Sequence, residues 1–210
     1  MTRPLIIVGS AGMARDAAWL ADRTGIWELV AFVEDSPRAP LLNDVPVLTF
    51  EAAVKRHPQA QVVTAVGSPA VRKMLRERAL EMGFAEATLV DPDARIAHRV
   101  VLGPGSVVCA GATISVDSQI GAAALVNMNS TVGHDALWDD YVTVSPGVNI
   151  AGWVAVGEGA FMGIGSQIIE GKDGAPLVIG AWSTVAGGAC VIRTVEARTM
   201  VAGVPARPKG

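Results

Sequence analysis

Cysteine is nearly absent from this sequence. Cys109 and Cys190 cannot build the disulfide framework of a small secreted scaffold, which points to a reducing compartment. Excess basic charge is missing too. Seventeen Lys and Arg stand against 20 Asp and Glu, the formal net charge is -3, and no basic cluster marks a nucleic-acid surface. Long hydrophobic runs are also lacking. The apolar stretch in "MTRPLIIVGSAG" meets a glycine after a few residues, too soon for a signal-peptide core or a membrane span, so a soluble cytoplasmic protein is expected. Aromatics make up only 5 %, yet half the residues are hydrophobic and 23 are glycine, a balance that suits tight packing and many turns rather than disorder. A chain of 210 residues has room for one large or two small domains.

Up to about residue 90, strand-like and helix-like segments alternate. "LIIVG" reads as a buried strand, and "SAGMARDAAWLADRTG" as a glycine turn entering a helix that stops at Gly25. "ELVAFVED", "VPVLTF" and "QVVTAVGS" supply further strands and "FEAAVKRH" a short helix. "PAVRKMLRERALEMG" is a helix with Pro69 in its first turn and Gly83 at its end. Alternation of this kind implies a parallel sheet in a small α/β unit, Rossmann-like in outline and assigned to residues 1–91.

From about residue 93 the rhythm changes. Aliphatic residues recur every sixth position: Ile96, Leu102, Val108, Ile114, Ile120, Val126, Val132, then Val144, Ile150, Val156, Met162 and Ile168, with Trp138 filling the gap. The position four residues after each is small or β-branched, as at Ser106, Ala112, Ser118, Ala124, Ser130 and Ala136. The position directly after is often glycine (Gly103, Gly121, Gly133, Gly157, Gly163), which suggests a tight turn there. Six residues with one large and one small inward side chain describe one face of a narrow prism. Three such units make an 18-residue coil, and stacked coils make a parallel β-helix. Ile168 to Ile179 is eleven residues, where two units need twelve, which marks a loop at about 171–176 before the period resumes at Val185 and Val191. Residues 92–210 are assigned to this second domain.

The hexapeptide repeats, the "GHD" at 133–135 and the tail "VAGVPARP" resemble the left-handed β-helix acyltransferases. An N-terminal α/β unit beginning "IIVGSAG" makes the chain similar to their nucleotide-amino-sugar N-acetyltransferase subgroup, of the sialic-acid and bacillosamine type. The resemblance implies a left-handed β-helix behind the α/β domain, acetyl-CoA as co-substrate, a nucleotide-linked amino sugar as acceptor, and a homotrimer with active sites between chains. Apolar pairs such as "VV" and "LV" on the flat prism faces give a physical reason for association. Transfer of acetyl to a sugar hydroxyl, and a non-catalytic β-helix scaffold, stay open as alternatives.

His134 is the candidate general base. An ordinary imidazole titrates near ~6.5 and can take a proton from an amine near neutrality. Residues 18 apart stack, so His134 lies between Val116 and Gly152, and Gly152 leaves space beside the ring. In the family the acid after this histidine pairs with it. Asp135 holds that position here, although neighbours on a strand face opposite ways, so the pairing requires a corner or loop. His98, two coils away at roughly 10 Å, is too far to share a metal ion with His134, and no metal site is expected. Neither cysteine has a base nearby in sequence, and both are rejected as nucleophiles. The resemblance further nominates Thr143, Gly152, Ile164, Gly187 and Gly188 for acetyl-CoA, with Gly152 N–H as oxyanion donor. It nominates Gly9, Ser10, Gly12, Glu34, Asp35, Gly67, Ser68 and Arg72 for the sugar nucleotide, the first three at a helix N-terminus suited to phosphate. Read instead as a dinucleotide fingerprint, "GSAG" lacks the third glycine. Met13 stands where the family carries a histidine.

Overall fold

The structure is a computed structural model that describes residues 2–209, so residues 1 and 210, the outer limits of the two expected domains, lie outside it. Two compact units are present. One runs to Pro92 and takes in Pro104–Val107; the other holds Asp93–Gly103 and the chain from Val108 onward.

The first unit is built on a sheet. Its elements are β1 (Arg3–Val8), α1 (Gly12–Thr24), β2 (Trp27–Val33), β3 (Leu41–Leu42), β4 (Val45–Leu48), α2 (Phe50–Arg56), β5 (Gln61–Thr64), α3 (Pro69–Glu81) and β6 (Ala85–Glu86). The sheet order is β3-β4-β2-β1-β5-β6, parallel except for the β3/β4 pair. In β1, Ile6 and Val8 join the cluster around Phe50, Ala53 and Ala79, while Leu5 and Ile7 are also fully buried. Burial of alternate residues on both faces is what a central parallel strand requires, and it explains the unbroken apolar run. Two helix ends follow the sequence signals, Gly25 capping α1 in the left-handed conformation and Pro69 opening α3, while the structure adds a cap at the start of α2, where Thr49 Oγ1 accepts from Ala52 N–H. In the same unit, Arg23 grips the buried Asp91 with two hydrogen bonds of 2.9 and 3.1 Å.

The second unit is the β-helix. Two-residue strands stack in parallel with partners 18 residues apart, as in Thr113–Thr131–Asn149 and Leu125–Thr143–Phe161. Large inward residues such as Ile114, Val132, Val144 and Met162 are buried, and so are the small ones at Ser106, Ala112, Ser118 and Ser130. Trp138 is buried as well, stacked in register with Val156.

Two readings of the repeat change. The glycines after the aliphatic residues are not in the left-handed region. A Cβ at Gly103, Gly121, Gly133, Gly157 or Gly163 would lie 2.4–2.6 Å from the backbone of the next coil, so close approach of coils excludes a side chain there. The left-handed corners fall two residues later, at Gly105, Gly111, Asp117, Ala123, Asn129, Asp135, Tyr141 and onward. Second, the phase slip is an insertion. Val156 pairs with Ile179, 23 residues on rather than 18, so five extra residues enter a single hexapeptide step. They form a small loop in which Lys172 and Ala175 exchange backbone hydrogen bonds of 3.1 and 2.9 Å.

Candidate active site

The coil leaves the strand at Val132, passes Gly133, and turns at Asp135, whose φ is 55°. That left-handed corner overrides the strand alternation that would have parted the two side chains. His134 Nδ1 and Asp135 Oδ2 are 2.8 Å apart. A carboxylate can only accept, so in the neutral ring Nδ1 carries the proton and Nε2 holds the lone pair.

Trp153 and Gly152 hold the imidazole in place, and Glu170 faces its far nitrogen. The Trp153 ring meets it edge-on, at right angles, with centroids 4.6 Å apart, and Trp153 N–H donates to the His134 carbonyl at 3.0 Å. On the next coil Gly152 lies against the ring: a Cβ there would fall 2.4 Å from Cε1, 2.5 Å from Nε2 and 2.9 Å from Nδ1. The space beside the ring is therefore the space the ring itself uses. On the Nε2 side, Glu170 Oε1 stands 3.6 Å away. Gly171 brings it there by passing so close to the coil that a Cβ would collide with Trp153 O, while Gly171 N–H bonds Gly152 O at 3.0 Å. Nothing in the hexapeptide period marked Glu170, for which the five-residue insertion was the available signal, whereas Trp153 follows the Gly152 that the 18-residue stacking sets beside His134.

Of the other nominated residues, Ile164, Gly187 and Gly188 come together. Gly188 N–H bonds the Ile164 carbonyl at 2.8 Å, and a Cβ on Gly187 would pack 3.2 Å from the Ile164 side chain. Thr143 is buried in its strand between Leu125 and Phe161.

The α/β unit carries a cavity of about 470 Å³ at the carboxyl ends of β1, β2 and β5. Gly9, Ser10, Glu34, Asp35 and Gly67 line it, whereas Gly12, Ser68 and Arg72 do not. Gly9, at φ 111°, runs so near Ala65 and Val66 that a side chain would crowd both. Ser10 donates to the Glu34 carboxylate, and Arg78 to that of Asp35. Arg72 is buried, its guanidinium bonded to the carbonyls of Val66 and Gly67, so it shapes the β5–α3 loop from behind. Met13 and Arg38 also line the cavity. An open helix N-terminus, a carboxylate after β2 and a glycine turn after β1 form a site suited to a nucleotide.

Comparison with known proteins bears on both units. A family model for the PglD N-terminal domain matches residues 4–79. A GDP-perosamine N-acetyltransferase from Escherichia coli O157:H7 is 30 % identical over 179 residues, 85 % of this chain and 81 % of that protein. The chain belongs to the left-handed β-helix sugar N-acetyltransferases. Solved members of the family match over the whole length. The acetyltransferase domain of PglB from Neisseria gonorrhoeae FA1090 superposes with a TM-score of 0.89 at 29 % identity, covering 99 % of this chain and 100 % of that one. An H-to-N mutant of perosamine N-acetyltransferase from Caulobacter crescentus, in complex with CoA and GDP-perosamine, gives 0.90 at 31 %, covering 99 % and 97 %. The α/β unit and β-helix of this N-acetyltransferase thus have the fold that its sequence rhythms imply.

Proposed function

We propose that this N-acetyltransferase moves the acetyl group of acetyl-CoA onto the amine of a nucleotide-linked sugar, with His134 as general base. The observation that carries the reading is the Nδ1–Asp135 contact of 2.8 Å, which leaves the lone pair on Nε2 of a ring that is 36 % exposed. The amine lone pair forms the new N–C bond at the thioester carbonyl as Nε2 takes a proton. The C–S bond then breaks, and the proton passes from the imidazolium to the CoA sulfur. Asp135 orients the ring and balances its charge while it holds that proton. Gly152 N–H, which donates to no backbone carbonyl among the described residues, is assigned to the oxyanion.

The acetyl-CoA arm is assigned to Thr143, Gly152, Ile164, Gly187 and Gly188, and the sugar nucleotide to the α/β cavity. There Gly9 and Ser10 take the phosphates and Glu34 the ribose, with Asp35 and Gly67 around them, while Gly12, Ser68 and Arg72, outside the lining, shape the loops that carry these residues. This gives the two expected domains, 1–91 and 92–210, separate tasks. We further propose a homotrimer: Val101 and Leu137 are exposed at 63 % and 50 % on the same outer face, one on each side of Gln119, and association would cover both. Among the described residues no helix is long and apolar enough to cross a membrane, and a cytoplasmic site of action is proposed with the rest.

The test is thiol release from acetyl-CoA with UDP-, GDP- and dTDP-linked amino sugars, GDP-perosamine among them. Turnover of one, with kcat lowered roughly 10²- to 10⁴-fold in His134→Ala and CoA binding retained, is the expected result. Absence of turnover on every sugar, or a His134→Ala enzyme as fast as wild type, would overturn the reading.

A further inference from the structure

The imidazole of His134 faces two carboxylates, and the mechanism above uses only one. With Nδ1–H committed to Asp135, Nε2 presents a lone pair to Glu170 Oε1 across 3.6 Å. Two acceptors facing each other leave a gap that calls for a donor between them. The placement is built into the chain. Glu170 is the last residue before the inserted loop, and Gly171 behind it is held to Gly152 by its N–H and pressed against Trp153 O so tightly that no side chain fits.

We propose that Glu170 receives the acceptor nitrogen as an ammonium ion and thereby selects amino sugars over their hydroxyl counterparts; this rests on His134 being the base. An amine flanked by electron-withdrawing groups titrates near ~8, as an α-amino group does, so most of it is cationic at neutral pH. Its three N–H donors reach Nε2 and Oε1 together at about 2.8 Å each, which the 3.6 Å separation allows. A hydroxyl brings no charge and a single donor, so it cannot satisfy both acceptors.

The protons balance. The ammonium carries three and the amide product keeps one N–H. One proton leaves to water as the neutral amine forms. The second moves to Nε2 as the N–C bond is made, and it ends on the CoA sulfur when the C–S bond breaks. Glu170 stays a carboxylate throughout. Its side chain is 57 % exposed, so solvent screens the attraction, and because the amine is neutral when the N–C bond forms, the attraction acts on binding rather than on the chemical step.

The test compares wild type with Glu170→Gln, using the nucleotide-linked amino sugar that the wild type turns over. Gln keeps the shape and removes the charge. The expected result is a KM for the sugar raised about 5-fold at about pH 6.5, shrinking toward no difference at about pH 9, where the amine is neutral. The KM for acetyl-CoA stays unchanged. His134 facing Glu170, Asp135 across the ring, and Lys172 and Asp173 in the same loop are common to both proteins; an effect passed through the ring would enter kcat, so the difference in sugar KM belongs to Glu170. Equal sugar KM values at both pH values overturn this inference while leaving the acetyltransferase reading intact. A fall in kcat alone does so too, since Glu170 would then act through the ring. A wild type that turns over no amino sugar removes both.

Discussion

Replacing Gly152 with alanine separates the structural from the chemical demands on this coil. The backbone at Gly152 lies outside the left-handed region, so alanine suits it conformationally. What the new methyl meets is the His134 ring, at 2.4 Å from Cε1 and 2.5 Å from Nε2, where ordinary carbon contacts are about 3.5–4.0 Å. The ring must retreat by about 1 Å. Its side chain is 36 % exposed, so it can swing outward, and the fold loses only about 1 kcal/mol. Catalysis cannot absorb the same shift, because a 1 Å misplacement of a reacting group costs roughly 10²-fold in rate. Gly133→Ala provides the control. Its Cβ would stand 2.4 Å from the backbone of Ala151 and Gly152, which cannot swing away, so that variant loses stability by about 3 kcal/mol or fails to fold. The assays are kcat from thiol release and urea unfolding of both variants. A Gly152→Ala enzyme with kcat within twofold of wild type would refute the argument that ring placement controls the rate. So would a Gly133→Ala variant as stable as wild type, for the argument that coil spacing excludes its side chain.

Other substitutions probe the remaining links. Asp135→Asn keeps an acceptor for Nδ1–H but removes the imidazolium's charge partner, and kcat should fall roughly tenfold with the shape of its pH profile altered; an unchanged kcat–pH curve would deny Asp135 that role. Asp91→Asn breaks a buried pair with Arg23 in the α/β unit and should lower unfolding free energy by about 3 kcal/mol, read by chemical denaturation. The Arg99 hydrogen bonds hold the Asp117 carboxyl below its ordinary range, so the pair stabilises the fold above the unfolded carboxyl pKa and stops doing so as pH falls through the lowered folded value. Asp117→Asn should therefore narrow the gap in melting temperature between neutral and acid solution, and an identical acid limb in both proteins would contradict this.

The sequence by itself determined the architecture, because that depends on period. Apolar residues such as Ile114, Val132 and Ile150 at six-residue spacing can be buried together only if three short strands close a coil, and the 18-residue register followed directly. Gly25 and Pro69 marked helix ends through local backbone chemistry, which a sequence also carries. His134 stood out because "GHD" interrupts a monotonous repeat with a titratable group. Tertiary structure decided what surrounds it. The corner at Asp135 reversed a side-chain direction that strand alternation would have set the other way, since left-handed φ at a non-glycine residue has no reliable local signature. The glycine column proved to mark the spacing between coils instead of the turns, a distinction visible only when one coil lies on the next. Arg72, which the resemblance nominates for the sugar nucleotide, turned inward to bind the carbonyls of Val66 and Gly67. Glu170 reached His134 across 36 residues through an insertion that breaks the period. A repeat foretells its own continuation, but the contacts made by a departure from it exist only in three dimensions.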